Sequence, residues 1–354
     1  MRLLNSSSVE IAQNIPLAPL TTLGIGGPAR YFVEACSADD VCDALAFARE
    51  QELETFVLGG GSNLVVADEG FNGLVIKIAI KGIEDRDGIF HVGAGEDWDG
   101  FVHHAIERDH AGIECLSGIP GTVGGTPVQN VGAYGQEVSE TITEVEALDA
   151  VSGDLTTFSN SECGFAYRSS RFNTTERDRW IIVRVSFSLK PGGAPKITYA
   201  DLKRAFPQGT ASLREVRDAV IRIRSSKGMV LDPNDPDSRS AGSFFKNPIV
   251  NAEQYEHIRQ RAAERGVIIP SYPTGEFQKK IPAAWLVEQA GFERGFAKGR
   301  VGVSSKHTLA LVNRGGATAR ELIALKNNIQ SAVREQFGIE LKPEPVFLGF
   351  RGPV

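Results

Sequence analysis

Apolar residues recur along this chain at two spacings, and the alternation of the two divides it into elements. Six stretches carry the three-to-four-residue spacing of an amphipathic helix. The first follows Ser37, a candidate N-cap with Asp39 and Asp40 in the first turn, and its stripe is Val41, Leu45 and Ala48. The second spans Glu96–Asp109, with Trp98, Phe101, Val102, Ala105 and Ile106 on one face. A third covers 212–226 through Val216, Ala219, Val220 and Ile223. Asn251 opens a fourth that Gly266 ends, and Ala283–Ala290 is a fifth, stopped by Gly291. The last begins at a capping-box pair, Thr318 and Glu321, carries Leu322, Leu325, Ile329 and Val333, and ends at Gly338. Between them lie β-type runs. Thr55–Leu58 and Leu64–Val66 read as short buried strands flanking a glycine loop, and Leu74–Ile78, Ile89–Val92, Val145–Asp149, Leu155–Phe158 and Trp180–Leu189 follow.

With 354 residues the chain is too long for one small core. The expected regions are 1–80, joined by a returning strand at 340–354, then 81–215, then 225–338. The polar run Asp232–Asp237 reads as a linker or hinge. A net charge of −6 argues against a general nucleic-acid binder. Cys36, Cys42, Cys115 and Cys163 form no Cys-x-x-Cys pair and read as buried thiols, and the histidines have no zinc spacing, so no metal site is expected. His103 and His104 read as ordinary, partly exposed residues. The N-terminal Met-Arg-Leu-Leu-Asn-Ser-Ser-Ser has no apolar run of leader length, and no stretch of about 20 apolar residues occurs. A cytoplasmic protein that does not engage a membrane is the expectation.

Five segments carry candidate chemistry. Gly59-Gly60-Gly61-Ser62-Asn63 follows a strand. Glycine there lets backbone N–H groups converge on an anion, and Ser62 and Asn63 add donors. It lacks the Gly-Lys-Ser/Thr ending of a P-loop, and a strand rather than a helix follows. A pyrophosphate cradle and a tight turn both remain open. The stretch Ser117–Gly135 has glycines at 118, 121, 124, 125, 132 and 135. That density suits close approach to a flat phosphorylated ligand. A mobile surface loop would be more polar than one carrying Ile119, Val123, Val128 and Val131. In Ser240–Pro248, Gly242 frees the backbone beside Ser243 and two aromatics anchor it, although a serine without an adjacent base is usually structural. Pro343 and Pro345 hold the chain extended around Glu344. Arg168, in Gly164–Phe172, is suited to bidentate carboxylate or phosphate recognition, or is a surface arginine.

In this order the segments resemble the UDP-N-acetylenolpyruvoylglucosamine reductases, also called UDP-N-acetylmuramate dehydrogenases. The resemblance runs from Thr21–Ala29 through Leu58–Asn63, Ile119–Gly135, Tyr167–Phe172, Gly242–Pro248 and Trp285–Val287 to Pro343–Gly349. It implies an α+β, FAD-binding fold of the vanillyl-alcohol-oxidase type with a C-terminal α+β substrate domain. The flavin would lie between the first two domains while the third closes over the substrate. By the same resemblance Gly59, Gly60, Gly61, Ser62, Asn63, Gly121, Thr122, Gly124, Gly125, Asn130 and Gly132 hold FAD. Ser243 is the proton donor, and Arg168 and Glu344 complete the catalytic set. Tyr199, in Ile197–Leu202, matches the tyrosine loop of the longer class and would close on the UDP-sugar. Lys227, Asn247, Tyr272 and Lys280 match substrate or NADPH contacts, and Pro282 departs from the pattern beside them. No histidine lies in Gly59–Asn63 or Ser117–Gly135 to attach the flavin, so dissociable FAD is expected.

The resemblance implies a monomer in peptidoglycan synthesis whose flavin is reduced by NADPH and then delivers hydride to the enolpyruvyl ether of a UDP-sugar. Arg168 would clamp the substrate carboxylate, Glu344 relay a hydrogen bond, and Ser243 protonate the α-carbon. Two other classes stay open on residues alone: an FAD oxidase using O₂, and a nucleotide-binding module without turnover.

Overall fold

The computed structural model describes residues 4–6, 9–274 and 278–352, the first three as backbone only. Residues 1–3 and 7–8, part of the N-terminal stretch read above for a leader, lie outside the described residues. The chain divides into two compact units. The first comprises 1–15, 28–61 and 71–226, and the second 16–27, 62–70 and 227–354.

The first unit holds two five-stranded sheets. One is mixed, in the order Leu4–Ser6, Val9–Pro16, Pro28–Ala35, Phe71–Ile78, Thr55–Leu58. Its last three strands run parallel. Helix α1, Ala38–Glu50, connects Pro28–Ala35 to Thr55–Leu58, and its N-terminus is closed by a Ser37–Asp40 capping box. The other sheet is antiparallel, in the order Leu155–Ser159, Ile142–Asp149, Trp180–Ser188, Ile89–Gly93, Ile83–Arg86. Helix α2 spans Trp98–Glu107 with Asp97 as N-cap, shorter at both ends than its apolar stripe suggested. Trp98, Phe101, Val102, Ala105 and Ile106 are buried in one core with Phe90, Phe187 and the inner face of the first sheet. Helices α3, Ala200–Ala205, and α4, Leu213–Ser225, complete this unit around a smaller cluster of Cys115, Tyr134, Leu202, Val216, Ala219 and Val220.

In the second unit, helices α5, Ala252–Glu264, α6, Ala283–Gln289, and α7, Ala319–Phe337, pack with two three-stranded sheets. Leu322, Leu325, Ile329 and Val333 of α7 are fully buried, as their spacing predicted. Segments 16–27 and 62–70 belong here and not with the strands around them. Leu23, Ile25 and Val65 enter this core, and Leu64–Val66 pairs in parallel with Val346–Leu348. Asp68 adds a cap to α7 by accepting from the N–H groups of Ala319 (2.6 Å) and Arg320 (3.0 Å), where the helix dipole favours a carboxylate.

Three expectations from the sequence are corrected. Thr55–Leu58 is an edge strand with Thr55 and Val57 exposed, and only Leu58 is buried. The Asp232–Asp237 run is stitched down: Asp237 is buried and accepts from both N–H and hydroxyl of Ser305, and Asp235 pairs with Lys306 at 2.8 Å. Of the four thiols, Cys36 is exposed and Cys42 only half-buried. Among the described residues no helix is long and apolar enough to cross a membrane.

Candidate active site

In the first unit the two glycine segments meet backbone to backbone. A Cβ on Gly60 would stand 2.5 Å from the Gly121 Cα, and one on Gly59 would stand 2.8 Å from the Thr122 hydroxyl. Gly61 has a positive φ of 63°, which glycine adopts without strain. The second segment is pinned to the start of α2. Trp98 donates to the Gly121 carbonyl, Val123 to that of Glu96, and Gly124 to that of Ala94 (3.1, 2.9 and 2.9 Å). The N–H of Gly125 is spent on Thr122. The N–H groups of Gly124 and Gly125 are thus both spent within the protein, and a Cβ on Gly124 would stand 2.6 Å from that of Ala94. A Cβ on Gly125 would meet no atom within 4 Å.

Asn130 is buried with a positive φ of 44°, and its side chain orders the turn that follows. It donates to Glu137 (2.9 Å) and to the Ala166 carbonyl (3.1 Å) and accepts from Ser139 N–H (3.2 Å). Arg168, also at positive φ (54°), reaches the same turn. Its guanidinium donates to the carbonyls of Gly132 (2.8 Å) and Asn130 (3.5 Å) and lies over the Tyr167 ring. The expected set Asn130, Gly132 and Arg168 is therefore one hydrogen-bonded group. Tyr199 is exposed and stands edge-on to Tyr134 of the same loop, ring centres 5.5 Å apart.

In the second unit, residues far apart in sequence are brought together. Glu344 N–H donates to the Phe244 carbonyl and Lys246 N–H to that of Lys342, both at 2.9 Å. This pairing sets Glu344 opposite Phe244, the residue that follows Ser243. Gly242, at φ 71°, turns the chain into Ser243, and Phe244 and Phe245 are buried beneath it. Asn63 donates from its side chain to the Glu344 carbonyl (3.3 Å), and its own carbonyl accepts from Val346 (2.9 Å). The Thr22 hydroxyl lies 2.6 Å from the Ser240 carbonyl and 3.4 Å from that of Ser62. Ser62, Asn63, Ser243 and Glu344 therefore share one neighbourhood.

The remaining expected contacts are spread over this unit. Tyr272 and Lys280 face each other across the strand pair Tyr272–Thr274 and Gln278–Lys280. Asn247 caps α6, its side-chain oxygen accepting from Ala283 N–H at 2.9 Å, which fits Pro282 as the residue that opens that helix. Lys227, the first residue of the unit's last segment, is half-buried.

One residue escaped the sequence reading. His307 Nε2 lies 3.4 Å from the Ser243 hydroxyl. Loss of solvent, then the neighbouring Lys227 charge, push its pKa down to about 4, so the ring is neutral at pH 7. Nothing in the spacing of Lys306-His307-Thr308 signals this. The contact comes from long-range pairing of two segments, through the Phe244 N–H to Leu309 carbonyl bond (2.7 Å) and the Ser240–Val312 bridge.

The first unit's glycine surface fits a flavin dinucleotide. Gly59–Gly61 and Gly121–Gly125 present backbone and the Thr122 hydroxyl with no carboxylate, and the open space at Gly125 is one that a Cβ would fill. Comparison with known proteins agrees. A family model described as "FAD binding domain" matches residues 29–159. A second, "UDP-N-acetylenolpyruvoylglucosamine reductase, C-terminal domain", matches 233–348. A relative named UDP-N-acetylenolpyruvoylglucosamine reductase from Thermobifida fusca (strain YX) is 47% identical over 354 residues, covering 97% of this chain and 99% of its own. One of the same name from Streptomyces coelicolor is 44% identical over 349 residues, covering 96% and 91%. The crystal structure of UDP-N-acetylenolpyruvylglucosamine reductase from Thermus caldophilus aligns with a TM-score of 0.65 at 26% identity, over 96% of this chain and 98% of that one.

Proposed function

Since the chain belongs to the UDP-N-acetylenolpyruvoylglucosamine reductase family and is an FAD oxidoreductase, we propose that it uses NADPH to reduce the enolpyruvyl ether of UDP-N-acetylglucosamine to UDP-N-acetylmuramate, as a cytoplasmic monomer. The observation that supports this reading is the strand-like pairing of Glu344 with Phe244, the residue that follows Ser243. Paired segments that carry a proton donor and a carboxyl group suit an enol ether on the side where a proton arrives.

The glycines of 59–61 and 121–125, with Thr122, Asn130 and Gly132, hold the cofactor in this proposal, and Ser62 and Asn63 extend the first segment. The chemistry that FAD supplies when bound is hydride relay, from NADPH to its N5 and from N5 to the β-carbon of the enol ether. Negative charge then develops at the α-carbon and in the adjacent carboxylate, where fixed donors stabilise it. Arg168 is suited to that carboxylate by its planar fork. Ser243 delivers the proton to the α-carbon. A serine hydroxyl is a weak acid, so its placement does most of the work, and the His307 ring supports that placement. Glu344 completes the set. Tyr199, Lys227, Asn247, Tyr272 and Lys280 bind the sugar nucleotide or NADPH. In domain terms, the two sheets of the first unit are the two flavin-binding subdomains, and the second unit carries the substrate domain.

The two half-reactions separate the roles. In rapid-mixing experiments on the flavin absorbance, Ser243→Ala is expected to be reduced by NADPH at nearly the native rate while reoxidation by the enolpyruvyl UDP-sugar collapses. Equal loss of both half-reactions removes Ser243 from the proton-transfer role. Reoxidation of the native protein by air alone, as fast as by the sugar, removes the reductase reading altogether.

A further inference from the structure

We infer that Glu114, buried behind the glycine-rich loop, is a positioning residue that fixes where Tyr199 stands, and through it how tightly the UDP-sugar is held. This rests on the proposed contact between Tyr199 and the sugar nucleotide.

Glu114 is 1% exposed, at the head of a short 3-10 turn, Glu114–Leu116. A carboxylate so far from water survives only with its oxygens filled. Three N–H donors fill them, each at 2.8 Å. Gly112 donates to one oxygen, and the Gln136 side chain and the Lys196 backbone donate to the other. Gln136, itself buried, returns its own oxygen to Cys115 N–H at 2.8 Å. Because every partner is a donor, the site calls for a group that accepts at both oxygens, which a glutamine amide cannot do.

The third donor is the informative one. Lys196 is gripped at every polar group: its N–H by Glu114, its carbonyl by the Cys115 thiol (3.2 Å), and its ammonium by Glu140 (2.7 Å). Three residues later comes Tyr199, the N-cap of α3. Beyond it, Leu202 is fully buried against Cys115, Val216 and Val220. The arm that carries Tyr199 is thus anchored on both sides, at 196 and at 202, while Tyr199 itself is 46% exposed and its ring rests edge-on against Tyr134. The next residue, Gly135, leaves room for the arm, since a Cβ there would stand 2.8 Å from the Thr198 hydroxyl. An exposed phenol on a fixed base is preorganised, so the sugar nucleotide does not bear the cost of ordering it. Glu114 touches neither reactant in this account and acts through Tyr199.

The test is a double-mutant cycle on the flavin-loaded enzyme, with KM for the enolpyruvyl UDP-sugar and the rate of flavin reduction by NADPH read separately. Glu114→Ala should raise that KM roughly tenfold, the scale of one lost buried hydrogen bond, with flavin reduction and flavin spectrum unchanged. Glu114→Gln should raise it less, because its amide oxygen keeps the bonds to Gln136 and Lys196. In a Tyr199→Ala background, Glu114→Ala should add no more than about twofold, since residues that act through one another are not additive. If Tyr199→Ala raises KM but Glu114→Ala does not, or if Glu114→Ala costs the same factor with and without Tyr199, the positioning role is wrong while the Tyr199 contact stands. If Tyr199→Ala leaves KM unchanged, the contact itself is wrong and the inference falls with it. Should Glu114→Ala lose its flavin, Glu114→Gln carries the same comparison.

Discussion

The Ser243 hydroxyl and the Nε2 of His307 stand 3.4 Å apart, joined by a long hydrogen bond. Their segments are tied by the Phe244 to Leu309 backbone bond, and the Ser304 hydroxyl accepts from the N–H groups of both Lys306 and His307 (3.0 and 3.2 Å). A neutral imidazole nitrogen can accept from a hydroxyl, whereas an imidazolium only donates. The depressed pKa of His307 therefore keeps both hydrogen-bonding options open to Ser243 throughout the neutral range.

That pKa carries a stability consequence with a definite sign. The unfolded chain takes up a proton at this histidine as pH falls below the ordinary 6.5, whereas the folded protein takes it up only near 4. Between those values the unfolded state binds more protons, so lowering the pH destabilises the fold. Above 6.5 the contribution is flat. Denaturant unfolding of native protein and His307→Gln, compared at pH 7 and pH 4.5, should show the variant losing less stability on acidification. Parallel losses would mean that His307 is not held neutral by its surroundings.

The four thiols offer a second test, because burial ranks them differently from the sequence. Cys36 ends the strand Pro28–Ala35 at the mouth of α1 and is exposed, its N–H donating to Asp40 at 2.7 Å. Cys42 is half-buried, and desolvation followed by Asp39 and Asp43 raises its pKa. Burial pushes Cys163 up to about 12 and Cys115 higher still. A thiol reagent at pH 8 should therefore label Cys36 rapidly, Cys42 slowly, and the other two only after denaturation. Cys36→Ser should abolish the fast phase, and a fast phase that survives this substitution contradicts the ranking.

Local signals carried much of the fold, and the reason is range. Ser37 with Asp40, Asn251 with Gln254, and Thr318 with Glu321 each form a capping box within four residues, so the sequence alone displays them. The stripe of α7 is legible for the same reason. Burial of a strand depends on which neighbours it acquires, so nothing in Thr55–Leu58 marks it as an edge. Asp68 as a cap for α7 and His307 beside Ser243 arise from contacts across long stretches of chain. Motif order led to the family, and through it to Ser243 and Glu344. It did not foresee that the glycines of the two loops would divide into those pressed against protein and those facing open space.

That division gives the sharpest contrast available by mutation. A methyl at Gly60 would stand 2.5 Å from the Gly121 Cα and 3.1 Å from the Thr122 nitrogen, atoms of backbone that cannot swing aside as a side chain can. Gly60→Ala should force the two loops apart and destabilise the protein by about 1–3 kcal/mol, the usual cost of overpacking. A methyl at Gly125 would meet no protein atom within 4 Å. Gly125→Ala should leave the melting temperature of flavin-free protein unchanged or slightly raised, since alanine restricts the unfolded chain. If the space at Gly125 is where the cofactor approaches, the same variant should bind FAD at least about tenfold more weakly in a fluorescence titration, each tenfold step corresponding to about 1.4 kcal/mol. Loss of FAD affinity in Gly60→Ala alone, with Gly125→Ala native in both measurements, would move the cofactor away from the Val123–Gly125 turn and leave these glycines a purely structural task.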